Sequence, residues 1–141
     1  MSSVSSPRTV HWSALGYGVL SFVHFAHNAR YLSDYPGLPA SWTAAGVMIS
    51  WIPVALLGGA GSVLYARGHA RAGLLLLAVF GLLGFGGLLH YARAPASAHS
   101  AAMNVTIVLE ALGALLLLGA VACAWRAARP NHPPTAPSTK Q

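Results

Sequence analysis

Four stretches of this chain read as segments expected to cross a lipid bilayer. A spanning helix needs about 20 mostly apolar residues to traverse about 30 Å of hydrocarbon. Residues 10–32, 43–66, 71–92 and 101–125 all meet that length. Hydrocarbon offers the backbone no hydrogen-bonding partners, so a spanning segment must be a helix or part of a closed barrel. These runs are continuously apolar and too long for barrel strands, which take 9–11 residues and alternate in polarity. The expected fold is an all-α integral membrane protein, an antiparallel four-transmembrane-helix bundle in up-down-up-down order over residues 1–126. Residues 127–141 hold four prolines and no apolar face, and a disordered cytoplasmic tail is expected there.

Composition narrows the alternatives. Only 7% of the 141 residues are charged, and Asp34 and Glu110 are the only acids. A soluble domain is about 25% charged. One cysteine, Cys123, excludes a disulfide scaffold, and it is expected to be a small packing residue near the inner end of the fourth span. The net charge of +6 does not mark a nucleic-acid surface, because the arginines flank apolar runs instead of clustering. No nucleic-acid partner is expected; the lipid bilayer is.

The connections are short. Residues 33–42 contain Tyr35-Pro36-Gly37, which suits a tight turn, residues 67–70 form a minimal hairpin, and residues 93–100 carry Pro95. Arg8, Arg67, Arg71, Arg126, Arg129 and Lys140 would share one side of the membrane, against Arg30 and Arg93 on the other. The positive-inside rule then puts both termini in the cytoplasm, with the bacterial inner membrane as the expected location. Trp12, Tyr65 and Trp125 would mark the inner interface, and Tyr31, Tyr35, Trp42 and Tyr91 the outer one. The first span lacks a small-x-small cleavage site, so a removed signal peptide is not expected.

The polar residues gather toward the outer side. His24, His27 and Asn28 end the first span, His90 ends the third, His99 precedes the fourth, and Asn104, Thr106 and Glu110 lie in its first turns. At ~1.5 Å per residue, His24 would lie ~10 Å and Glu110 ~13 Å below the outer boundary. Side chains lean toward the N-terminus of their helix, so His24 and Glu110 tip toward one level if the first and fourth spans are neighbours. Ser13, Tyr17, Ser21, His24 and Asn28 form a stripe along the first helix. Asn104 and Glu110 are offset by ~120° around the fourth helix and do not point to one spot.

Each of these residues has a functional and a structural reading. An ionisable group within a span usually faces the bundle interior. Glu110 is a candidate acid/base, metal ligand or proton carrier; equally, a neutral Glu can serve as interhelical hydrogen-bonding glue. His24 and His27, at His-x-x-His spacing, form a loose metal-binding pair or a pair of interfacial rings. His90 and His99 read individually as interface residues. Asp34 reads as a turn residue. The glycines of the second and third spans read as tight-packing positions, within one chain or between copies in a homo-oligomer. Pro53 is expected to bend the second span.

His27-Asn28-Ala29-Arg30 and His90-Tyr91-Ala92-Arg93 echo one another, and Pro-Ala-Ser follows each, at 39–41 and 95–97. In an Ala-rich chain that echo is weak. Cys-x-x-Cys, phosphate-binding, Gly-x-Ser-x-Gly and His-Glu-x-x-His motifs are missing.

Three function classes are compatible with this pattern. In the first, an outward-facing pocket of His24, His27, Asn28, His90, Asn104 and Glu110, with Tyr17, Ser21 and Thr106 deeper, binds a hydrophobic small molecule, a transition metal or haem. The metal ligands would come from His24, His27, His90 and Glu110, and a haem would take His24 or His27 together with His90. The second class is a membrane enzyme acting on a lipid or isoprenoid-like substrate, with Glu110 and His24 as catalytic acid and base. The third is an accessory subunit with no site.

Overall fold

The computed structural model describes residues 7–128, and their regular structure is all helical, with no strand among them. Pro7 opens α1 (Pro7–Arg30) at a position where its missing N–H costs no hydrogen bond. A 3₁₀ turn over Leu32–Asp34 leads to α2 (Ala44–Ala66), which is N-capped by Thr43, whose hydroxyl accepts from the Gly46 N–H at 3.0 Å. α2 continues through Pro53 and ends at Arg67, followed by Gly68 at φ +87°, a conformation that favours glycine. α3 (Ala70–Leu83) follows at once. Next come a 3₁₀ turn over Gly86–Leu89, the single-turn α4 (His90–Arg93), another 3₁₀ turn over Ala96–Ala98, and α5 (Ala101–Ala127). Ser100 caps α5, accepting from the Met103 N–H, while the Met103 sulfur accepts from the Ser100 N–H.

Three helical stretches are long and apolar enough to cross a membrane: Ala44–Ala66, Ala70–Arg93 and Ala101–Ala127. α1 has the length, but its stripe of hydroxyls, imidazoles and amide dilutes its apolar content. It begins three residues before the expected start at residue 10 and ends at Arg30 instead of residue 32. The third span was expected as one α-helix over 71–92, but it breaks after Leu83 and tightens into a 3₁₀ turn. Gly84, Gly86 and Gly87 are poor helix formers, and Gly84 packs directly on Tyr17 and Ala114. Ala127 belongs to α5 and Ala128 caps it, so the helix reaches past the expected limit of 126; the rest of the proposed tail lies outside the described residues.

α1 packs on α5 and α2, α2 on α3, and α3 on α5. The interior divides along the helix axes. Tyr17, Leu74, Leu77, Phe80, Ala114 and Leu117 lead an apolar core at the end nearer the 67–69 turn. Toward the other end the buried set turns polar: Ser21, His24, Asn28, His90, His99, Thr106 and Glu110. Gly73 lets α3 press against the α2 backbone, because a Cβ there would meet Tyr65 N at 2.5 Å. Gly58, Gly61 and Gly81 are likewise occupied by contacts within the chain, to Phe80, Leu77 and Leu118.

The exterior is apolar on every long helix. Trp12, Leu15, Val19 and Phe22 of α1, Ile49 and Leu56 of α2, Leu75 and Leu82 of α3, and Leu112 and Leu116 of α5 are all exposed. Cys123 is also exposed, not packed inside as its small size suggested. Packing favours small residues on the inner face of α5, where Ala120 and Ala124 are buried, and Cys123 falls on the outer one.

Candidate functional site: a buried imidazole–carboxyl cluster beside a cavity

The polar cluster is built where α1 and α5 cross. The one-face stripe of α1 aims Tyr17, Ser21, His24 and Asn28 inward, and all four are buried. Met103, Thr106 and Glu110, at spacings of three and four along α5, meet that stripe from the other side. His24 Nε2 lies 3.7 Å from Glu110 Oε2, with both side chains buried. The two residues do tip to one level.

A hydrogen-bonded chain orients His24. The Asn28 amide Nδ2 donates to His24 Nε2 at 2.9 Å, so Nε2 carries a lone pair in this arrangement. The proton then sits on Nδ1, which points to Thr106 Oγ1 at 3.4 Å. The Thr106 hydroxyl in turn donates to the Met103 carbonyl at 3.0 Å. The same Asn28 Nδ2 lies 3.4 Å from His90 Nε2, so one amide bridges two imidazoles on α1 and α4. The His24 and His90 rings stand edge to face, with centroids 5.6 Å apart.

Gly87 closes the cluster from the 3₁₀ turn. A Cβ there would come within 2.9 Å of Glu110 Oε2 and 3.3 Å of His24 Nε2. Only glycine leaves room for the carboxyl and imidazole side by side. Several buried atoms of the cluster have no hydrogen-bond partner: Tyr17 OH, Ser21 Oγ, Asn28 Oδ1, His90 Nδ1, His99 Nε2 and Glu110 Oε2. Native interiors leave few such atoms unmatched, and here they are concentrated at one site.

The cluster borders a cavity of about 500 Å³. His24, Asn28, His90 and Glu110 form its polar part, and Phe25, Trp42, Val47 and Leu83 its apolar walls. Ligand pockets typically measure 300–1,000 Å³ with mostly apolar walls and a few convergent polar groups. The start of α2 supplies the far wall through Thr43, Gly46, Val47 and Ser50. Reasoning from the sequence overlooked that wall. The signal was present, since Thr43, Gly46, Val47 and Ser50 recur at spacings of three and four on one helix face.

Of the expected pocket residues, Tyr17, Ser21 and Thr106 are buried in the cluster without lining the cavity, and two others lie elsewhere. His27 is turned toward the 31–35 turn, where its Nδ1 hydrogen-bonds the Tyr35 hydroxyl at 2.8 Å. Asn104 staples the loop before α5: its Nδ2 donates to the carbonyls of Ala96 and His99, and its Oδ1 accepts from the Tyr91 hydroxyl at 2.8 Å. Neither lines the cavity. Tyr35 was expected as an interface anchor; instead it is buried, with its ring against His90 and His99. Burial pushes its phenol above the ordinary tyrosine range, which keeps it a hydrogen-bond donor to His27. His99 Nδ1–H donates to the Pro95 carbonyl at 3.0 Å. Asp34 is exposed in its turn.

Among the described residues, no group of three or more His, Cys, Asp or Glu side chains is arranged to hold a metal ion. Of the histidines expected to pair on a haem, His24 and His90 both have Nε2 within 3.4 Å of the Asn28 amide. No known protein family, curated protein or solved structure matches the chain.

Proposed function

We propose that this chain is a polytopic membrane protein of four antiparallel spans, with both termini cytoplasmic in a bacterial inner membrane, whose outward-facing pocket binds a small organic molecule. One observation carries the ligand reading: unmatched buried groups of Asn28, His90 and Glu110 belong to side chains that line a cavity with apolar walls. Lost hydrogen bonds of this kind cost about 1–3 kcal/mol each unless something supplies the partner. The membrane reading for α1 draws support from where its polar residues point. Ser21, His24 and Asn28 are buried, while Trp12, Leu15, Val19 and Phe22 face outward, so the helix is apolar where lipid would touch it.

Filling the cavity tests the reading. Val47→Trp would occupy the space from the α2 wall. The expected result is a small molecule that copurifies with the wild-type protein in near-stoichiometric amount and is lost from Val47→Trp. Equal recovery from both, or none from either, would remove the proposal. Reporter fusions at Gly37 and Gly68 test the orientation, with Gly37 expected outside and Gly68 inside.

A second reading, an acid–base enzyme acting on a lipid or isoprenoid-like substrate, is favoured by the 3.7 Å separation of His24 Nε2 and Glu110 Oε2. Such a pair can exchange a proton with a bound substrate. A copurified compound that is chemically converted by the wild type and recovered unchanged from Glu110→Gln would move the assignment to this class. An accessory subunit without a site would show neither behaviour.

A further inference from the structure

The charge distribution around the cavity defines which ligand it suits. The chain carries eight Lys and Arg against two acids, yet among the described residues an acid and no Lys or Arg line this cavity. Arg93 lies beside the cavity wall without lining it. Arg93 Nη1 donates to the Gly37 carbonyl at 3.3 Å, and its guanidinium lies over the Trp42 ring 5.8 Å from the centroid. Two unmatched atoms of the polar part, Asn28 Oδ1 and Glu110 Oε2, are oxygen acceptors when the acid is ionised. Phe25 adds an aromatic wall, and aromatic faces attract cations, as the Arg93 guanidinium over Trp42 illustrates.

We propose that the cavity takes up a hydrophobic organic cation, and that each cation bound releases one proton from the His24–Glu110 pair. The inference rests on the ligand-binding reading above and names the class of ligand. Without ligand the pair is net neutral, whether its one labile proton sits on the carboxyl or makes the imidazole an imidazolium. A cation brings one positive charge, the proton leaves to the outer water, and the charge inside the pocket is unchanged. An anion would face the Glu110 carboxyl with no cation lining the cavity to oppose it. A neutral apolar molecule would gain nothing from the charge of the Glu110 carboxylate.

The titratable groups around the pair are few. Tyr17, His24 and His27 come from α1, His90 from α4 and Glu110 from α5, with Tyr35, His99 and Arg93 near His90. The cavity walls from α2 and α3 bring none.

The test uses the full chain in nanodiscs of neutral phosphatidylcholine, with empty nanodiscs subtracted. The probes are tetraphenylphosphonium and uncharged triphenylphosphine oxide, which share an aryl body. The expected result for the wild type is binding of the cation about tenfold or more tighter than the oxide. About one proton per cation should appear in weakly buffered medium, and cation affinity should rise with pH. Glu110→Gln should lose the preference for the cation while still binding the oxide.

Tighter binding of the oxide, or cation binding without proton release, overturns the inference and leaves the pocket reading standing. Cation binding that survives Val47→Trp unchanged places the probe outside the cavity and overturns it as well. If neither probe binds, this inference fails, and the copurification comparison judges the pocket reading separately. The wild-type comparisons need no variant to fold.

Discussion

His24 Nε2 and Glu110 Oε2, far apart in the chain, stand 3.7 Å apart across the α1–α5 contact. A contact in the interior couples the energetics of its two partners. In unfolding titrations of the purified protein, the double variant His24→Ala/Glu110→Gln should therefore cost less than the sum of the single variants. The expected interaction is about 1 kcal/mol, within the range of residues in direct contact. Additive effects would show that the two side chains do not sense one another.

Gly87 should be intolerant and its neighbour tolerant. A methyl at Gly87 meets Glu110 Oε2 at 2.9 Å and His24 Nε2 at 3.3 Å, whereas a methyl at Gly86 meets nothing within 4 Å. Overpacking of an interior costs about 1–3 kcal/mol. Gly87→Ala should lose stability on that scale, and Gly86→Ala should be neutral or slightly stabilising. Thermal unfolding of the two single variants decides it.

Tyr35 introduces an alkaline dependence. Burial raises its phenol above the unfolded value of 10.0. The folded chain thus keeps a proton that the unfolded chain gives up, so this contribution to stability is complete below pH 10.0 and declines as pH climbs from there toward the folded value. Unfolding midpoints measured from pH 8 upward should fall above about pH 10, and Tyr35→Phe should flatten that fall. At neutral pH the same substitution removes the bond to His27 Nδ1 and should cost about 0.5–1.5 kcal/mol.

Asn104 separates structure from site. It ties Ala96, His99 and Tyr91 to the start of α5 but does not line the cavity. Asn104→Ala should lower stability by about 0.5–1.5 kcal/mol, the net worth of hydrogen bonds that are only partly buried. Ligand recovery per folded molecule should not change. A selective loss of ligand at unchanged stability would put Asn104 in the site after all.

Much of the helical layout could be read from hydropathy, because a run of apolar residues has few other fates. The approach of His24 to Glu110 was legible from side-chain lean on oppositely running helices, and the stripe on α1 from its spacing. Other features depend on tertiary contacts that periodicity does not encode. Tyr35 looked like an interfacial ring until the 31–43 connection folded it onto His90 and His99. His27 and Asn28 are adjacent, yet helix rotation sends one to the turn and the other to the cluster. The α2 wall went unnoticed because its members are a threonine, a glycine, a valine and a serine, which carry no chemical signature singly.

The break in the third span also sets a direction. An α-helix advances ~100° per residue, a 3₁₀ helix ~120°. Across the four residues Gly86–Leu89 the difference accumulates to ~80°. His90 follows immediately, so its azimuth is dialled by the tight turn before it. An uninterrupted helix would swing the ring roughly a quarter-turn away from Asn28. The glycine-rich turn is thus a phase shifter: it trades regular hydrogen bonding for the angle at which the second imidazole meets the first.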